Sequence, residues 1–167
     1  MLYEFSGVCQ SCATQVAIRI HNDKLIEKCP GCGEEPFSLR RYKGLVYIIS
    51  NPNQTGVKIG MTETSLENRM KQLSSATGVP GKFVPIVIFP SDNPKKDEKK
   101  VHDKLAKYKL AKEHFEIGAD DAALAAYRAL NRREAIFYNE DVKGRFNIKL
   151  KQAALEMDMR LRGKNTL

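Results

Sequence analysis

The sequence predicts an α+β chain in two parts with a basic tail. A cysteine-bearing ribbon covers 1–38, a core over 43–131 is built on a small three-stranded antiparallel sheet flanked by helices, and an extension over 132–167 is partly helical. Three observations carry this. All four cysteines fall between Cys9 and Cys32, in two closely spaced pairs. Three runs rich in Val and Ile are bounded by turn residues. Around them, apolar residues recur at three- and four-residue spacing, the period of helices packed on a sheet.

Composition bounds the functional classes. With 42% apolar and 29% charged residues the 167-residue chain buries one core and is not wholly disordered. The formal charge of +8 favours a polyanionic partner, nucleic acid first. No apolar run reaches the length of a membrane span, and Met1-Leu2-Tyr3-Glu4 has neither a basic nor an apolar leader segment. A soluble, intracellular, cytoplasmic protein with no membrane partner is expected. The basic C-terminal helix has too thin an apolar face to favour a membrane surface.

The cysteines read Cys9-Gln10-Ser11-Cys12 and Cys29-Pro30-Gly31-Cys32, with sixteen residues between the pairs. Each short loop turns two thiolates toward one point, and two such loops complete a tetrahedron suited to Zn²⁺. The competing reading, two disulfides in a secreted domain, is disfavoured by the missing leader. Val16, Ile18 and Ile20 alternate with Ala17, Arg19 and His21 before Asn22-Asp23, and Lys24 to Lys28 offers a return strand, so the segment reads as a zinc ribbon. Four ligands close the coordination sphere, which makes the metal structural. His21, alone beside a turn, reads as a surface residue.

After a connector ending in Arg40, Arg41 and Lys43, Leu45 to Ile49 form an unbroken strand run. The turn-rich Asn51 to Gly56 returns the chain along Val57 to Gly60. A simple antiparallel pair with Ser50 opposite Val57 sets Tyr47 opposite Gly60 and on the same sheet face as Lys58. Thr64-Ser65-Leu66-Glu67 reads as a capping box opening a helix with Leu66, Met70 and Leu73 at helical spacing, stopped by Gly78 and Pro80. Arg69 borders that stripe, where its stem lies along the core and its guanidinium emerges at the sheet edge; alone it reads as a surface salt-bridge residue.

Phe83 to Phe89 gives the third strand, and Pro94 opens a lysine-rich helix running to about Tyr108. Glu98, Val101, His102, Leu105 and Tyr108 share one stripe of it, so Glu98 needs a partner, either a salt bridge to Arg69 or a hard divalent cation. Lys95, Lys96, Lys99, Lys100, Lys104, Lys107, Lys109 and Lys112 face only Asp97, Glu98 and Asp103, a local excess of five charges. Such a run is either a solvated face or a guide for a nucleic-acid backbone. Asp120 opens a helix through Leu124, Tyr127 and Leu130 that covers the sheet. From Lys143 to Leu167 seven basic residues face two acids, with helix-spaced Leu155, Met159 and Leu161. Lys143, Arg145 and Lys149 in this tail join Lys95, Lys99 and Lys100 as candidate nucleic-acid contacts.

Taken in order, Gly44-Leu45-Val46-Tyr47, Lys58-Ile59-Gly60, Arg69, Glu98-Lys99-Lys100-Val101-His102 and Glu113-His114-Phe115 resemble the GIY-YIG nuclease superfamily. The match is nearest to its phage and bacterial branch, whose second motif reads KIG, and it covers roughly Lys43 to Leu130. The resemblance implies hydrolysis of DNA phosphodiesters with Mg²⁺ or Mn²⁺. By it, Tyr47 acts on the attacking water, Arg69 steadies the phosphate and Glu98 holds the metal, in a bacterial or phage-encoded protein. Departures stand beside it. Gly44 is one residue too far from Tyr47, Lys58 replaces the second motif tyrosine, and Leu73 replaces a frequent histidine. Lys58 is either a base or a phosphate-binding cation, and His102 either supplies the missing histidine function or packs in the helix.

The expectation is thus a metal-dependent DNA endonuclease or nickase, with RNA retained as the other polyanion. The rivals are a nucleic-acid-binding protein on a nuclease scaffold and a zinc-ribbon interaction adaptor.

Overall fold

The computed structural model describes residues 1–75 and 81–164, with side chains through residue 160. The chain divides into two units, Met1–Arg41 and Tyr42–Leu167.

The first unit is a three-stranded antiparallel sheet of β1 (Leu2–Val8), β2 (Gln15–His21) and β3 (Lys24–Leu25), in that order. The alternation read at Val16 and Ile18 is real, since both are buried with Cys9 and Cys29, and Leu25 and Phe37 close the small core. β1 has no counterpart in the sequence reading. Its side chains are almost all exposed, so it lacks the alternation that marks a half-buried strand.

In the second unit a mixed α+β core is built on one antiparallel sheet. Its centre is the expected three strands, β4 (Gly44–Ser50), β5 (Val57–Thr62) and β6 (Val84–Ser91), with β4 in the middle. The sheet is larger than three strands, however. β7 (Lys109–Ala111), β8 (His114–Phe115) and β9 (Ile136–Phe137) extend it to six in the order β7-β8-β5-β4-β6-β9. Strands of two or three residues carry no legible period, so their pairing is fixed by neighbours and not by local pattern.

The β4–β5 register is the one expected from loop length: Tyr47 lies opposite Gly60 and Ile49 opposite Lys58. Alternation then sorts the side chains. Val46, Ile48, Val57, Ile59, Val87 and Phe89 point to one face, under α2 (Pro94–Lys104) and α3 (Ala119–Ala129). Tyr47, Ile49 and Ile88 point to the other, where α1 (Leu66–Ser74) lays Leu66 and Leu73 against them. Ser65, not Thr64, caps α1, accepting from Asn68 N–H at 3.2 Å. The box therefore starts one residue later than read, and Glu67 pairs instead with Lys71 at 2.9 Å. Gly78 and Pro80, read as its stop, lie outside the described residues.

α2 ends at Lys104, and a single 3₁₀ turn, Ala106–Tyr108, completes the segment. α4 (Glu140–Lys164) buries Val142 and Phe146 one turn apart, with Phe146 edge-on to Tyr127 of α3 at 5.5 Å. Beyond Leu150 its apolar residues Leu155, Met157 and Met159 are exposed. No helix among the described residues is long and apolar enough to cross a membrane.

One charge counted among the solvated acids is in fact interior. Asp97 is 2% exposed and takes Ser91 Oγ–H at 2.6 Å, Lys100 Nζ at 3.0 Å and the Arg133 guanidinium. Burial works to raise its pKa, but these three donors outweigh it and hold the carboxyl below its ordinary value. The group thereby fastens α2 to β6 and to the chain after α3. Asp97→Ala should cost about 3 kcal/mol in denaturant melts, because it strands a cation as well as deleting the pair. Because the folded pKa is depressed, this stability is present above the ordinary value of 3.8 and is lost as pH falls through the folded value. Asp97→Asn should flatten that acid limb of a stability–pH profile.

Candidate functional site

In the ribbon unit the four thiols converge. Cys9 Sγ lies 3.8 Å from Cys32 Sγ, Cys12 Sγ lies 3.6 Å from Cys29 Sγ, and all four sulfurs are within 4.8 Å of one another. Zn–S bonds of about 2.3 Å in a tetrahedron require sulfurs about 3.8 Å apart, so the site fits zinc. The two loops share one local geometry. Ala13 N–H donates to Cys9 O at 2.9 Å and Gly33 N–H to Cys29 O at 2.8 Å, and Ala13 (φ 59°) and Gly33 (φ 75°) both take the left-handed conformation that turns the thiols inward. Glycine adopts it freely and alanine under strain. His21 is exposed and outside this cluster. Removing the metal with a chelator should unfold the 1–41 unit while the 42–167 melting transition persists, as read by calorimetry.

In the second unit the candidate residues meet at the β5 side of the sheet. Tyr47 is fully buried, and its ring crosses Gly60: a Cβ there would strike the phenol oxygen and sit 2.7 Å from Cζ. Glycine at this position is therefore a packing requirement. Arg69 reaches from α1 and donates Nε–H to Tyr47 Oη at 3.2 Å. Burial raises the Tyr47 pKa, opposed by the Arg69 hydrogen bond and charge, so the phenol keeps its proton at neutral pH. That hydrogen bond in turn raises Arg69. Arg69 is thus not the salt-bridge partner of Glu98; among the described residues no ion pair closes on Glu98.

What holds Glu98 is the sheet edge. β8 covers β5 only as far as Lys58, and Glu113 O takes Ile59 N–H at 2.9 Å as the last rung. Past that rung the outward backbone groups of β5 would face water or nothing. Two α2 side chains one turn apart meet them: His102 Nε2 lies 3.0 Å from Ile59 O, and the Met61 N–H faces the Glu98 carboxylate and favours its ionised form. A carbonyl only accepts, so His102 carries its proton on Nε2 and packs its ring edge-on to Phe115, centroids 5.0 Å apart. Burial nevertheless pushes the Glu98 carboxyl up; His102 and Arg69 pull it down and Glu113 pushes it further up.

Glu113 is the residue that sequence reasoning quoted and left without a role. It sits on the two-residue turn between β7 and β8 and pairs with Lys58 Nζ at 2.6 Å. The register that faces Lys58 toward Tyr47 was legible; the short hairpin that returns Glu113 to it was not. The ion pair gives Lys58 a carboxylate partner in this arrangement.

The six candidate nucleic-acid contacts are spread over two helices. Lys95 is exposed on the first turn of α2. Lys99 pairs with Asp103 at 2.7 Å and Lys100 with Asp97. On α4, Lys143 pairs with Glu140 at 3.1 Å, Arg145 with Asp120 at 3.4 Å, and Lys149 with Asp120 at 2.7 Å and Asp121 at 2.5 Å. The last two fasten α4 to the acidic first turn of α3, where negative charge suits the helix dipole.

A buried phenol under a glycine, two cations and two carboxylates are thus gathered at the β5 side of an antiparallel sheet in a basic, mixed α+β domain. The chain belongs to the T5orf172 domain family, which residues 44–130 match. This is a phage-associated domain in the context of GIY-YIG and HNH-like nucleases, and it gives the chain a nuclease-like or DNA-binding role. No curated protein and no solved structure matches the chain.

Since the Glu98 pKa is raised in the folded state, the fold binds the extra proton and stability falls as pH rises through that window, above the ordinary value of 4.5. Ionised Glu98 thus opposes folding at neutral pH. Glu98→Gln, which still offers an oxygen to Met61 N–H, should raise Tm at pH 7 and leave it unchanged near pH 4.

Proposed function

We propose that the domain is a GIY-YIG-type, metal-dependent endonuclease or nickase that hydrolyses DNA phosphodiesters. The observation that carries the reading is the partly buried Arg69 Nε–H to Tyr47 Oη hydrogen bond in the same electrostatic neighbourhood as half-buried Glu98. The Glu98 carboxylate, steadied on one side by the Met61 N–H, suits a Mg²⁺ or Mn²⁺ completed by water and phosphate oxygens. Such an ion lowers the pKa of a bound water and neutralises charge developing on the leaving oxygen.

The chain's own groups do the rest. Tyr47 accepts from Arg69 and keeps its proton, so it is not the group that removes a proton from the attacking water at neutral pH, and its fully buried phenol fixes Arg69 in place. Arg69 spends one N–H on Tyr47 and keeps the other guanidinium donors for the phosphate, a forked contact that lysine does not reproduce. Lys58, held by the Glu113 carboxylate, serves as a second phosphate cation and not as the base. His102, with Nε2–H committed to Ile59 O, is a positioning residue that keeps α2 and Glu98 on the β5 edge. The exposed lysines of α2 guide the nucleic-acid backbone, and zinc maintains the ribbon that helps position the protein on its substrate.

Cleavage of supercoiled plasmid and labelled single strands with Mg²⁺ or Mn²⁺ tests this. Wild type should cut, Glu98→Gln should lose about 10²–10³-fold in rate at equal zinc content, and Arg69→Lys about 10²-fold. Activity should fall at acid pH, as protons compete with the divalent cation for Glu98, and added Mg²⁺ or Mn²⁺ should move the acid limb to lower pH. No cleavage by wild type, with salt-sensitive binding retained, would instead make the protein a nucleic-acid-binding module on a nuclease scaffold.

A further inference from the structure

We infer that Glu113 is a positioning residue that holds the Lys58 ammonium in a resting ion pair and yields it to an incoming phosphodiester. The inference rests on the phosphodiester reading above for the identity of the incoming group.

The geometry is specific. Glu113 Oε2 lies 2.6 Å from Lys58 Nζ, with the two side chains 32% and 17% exposed. The pair is therefore shielded enough to matter and open enough to be reached. The carboxylate is delivered by a fixed backbone: Glu113 O takes Ile59 N–H at 2.9 Å, and the preceding Lys112 turns the hairpin with φ 46°. Glu113 is thus anchored to the residue next to Lys58 along β5. Its charge also reaches Tyr47, Arg69 and Glu98, so it belongs to the site's field and not to a detached surface pair.

Without Glu113, the candidate site would hold two cations, Lys58 and Arg69, with only Glu98 to balance them. With it, the resting site is balanced, and one partner is exchangeable. A phosphodiester carries the same single negative charge as the carboxylate, so moving Lys58 from one to the other conserves the pairing. The flexible stem and rotating donors of lysine suit such an exchange better than a planar guanidinium held on Tyr47. Glu113, about one-third exposed, is left to water when released. The pair therefore acts as a competitor that a phosphate displaces and a neutral ligand does not.

Fluorescence anisotropy of a labelled 20-base-pair duplex, with zinc-loaded full-length protein, no added divalent cation and a series of KCl concentrations, tests this on binding alone. Glu113→Gln keeps the shape and removes the competing charge. It should bind several-fold tighter with an unchanged log K against log salt slope, because the same Lys58–phosphate contact forms in both proteins and only the competing charge is gone. In a Lys58→Gln background that gain should vanish and the slope should be shallower by about 0.9, one phosphate contact fewer, and Glu113→Asp should keep the wild-type affinity. Four results would overturn the inference: wild-type affinity in Glu113→Gln, a wild-type slope in Lys58→Gln, a gain that survives in the Lys58→Gln background, or no binding by any of the proteins. Failure of every protein to cleave would sink the hydrolytic reading, while the binding cycle still decides the role of Glu113.

Discussion

The second unit is organised by one close contact, the Tyr47 ring lying across Gly60. Two central strands approach in the register that sets them opposite, and the absence of a side chain at Gly60 gives a large aromatic group a fully buried place on the sheet. From that place the phenol oxygen is the fixed point to which Arg69 is drawn from α1. A slip of one residue would put Tyr47 and Lys58 on opposite faces of the sheet. The helix on one face, the acid on the other and the hairpin at the end are thus referred to a single strand pairing.

Around that point the charges are arranged by compensation. Arg69 and Lys58 are the two cations of the candidate site, and each has a different kind of counterpart: a neutral oxygen for Arg69, a carboxylate for Lys58. Glu98 is left without an ion pair among the described residues and pays for its position in a raised pKa. Asp97, its immediate neighbour, shows the opposite outcome. It is almost fully buried yet remains ionised, because three donors converge on it. Adjacent acids on one helix are divided by environment, one serving the architecture and the other left available.

Much of this was legible in the residues. The thiol spacing, the central strands, the β4–β5 register and the α2 stripe bearing Glu98 and His102 all follow from local pattern, because each is repeated over several residues. What was not legible depends on contacts with no local repeat. β1 buries too little to alternate, and the two-residue strands β8 and β9 exist only by pairing. The partner of Lys58 arrives from residue 113 through a hairpin that composition does not mark. Asp97 reads as one more solvated acid on a lysine-rich helix until Arg133, distant in sequence, is brought beside it. The α1 cap was displaced by one residue because Thr64 and Ser65 are equivalent in pattern, and only the turn after β5 chooses between them.

The manner in which α2 meets β5 has a colloidal consequence. A strand edge with free N–H and C=O groups is a template for another strand, and proteins guard such edges against association with further chains. On β5 the guard is supplied by His102 against Ile59 O and Glu98 beside Met61 N–H, a bulky ring followed by a charge. The side chains that the site employs are therefore also those that keep the sheet from growing. Polar groups at these two positions thus protect the protein from association through the β5 edge, whatever chemistry the site performs.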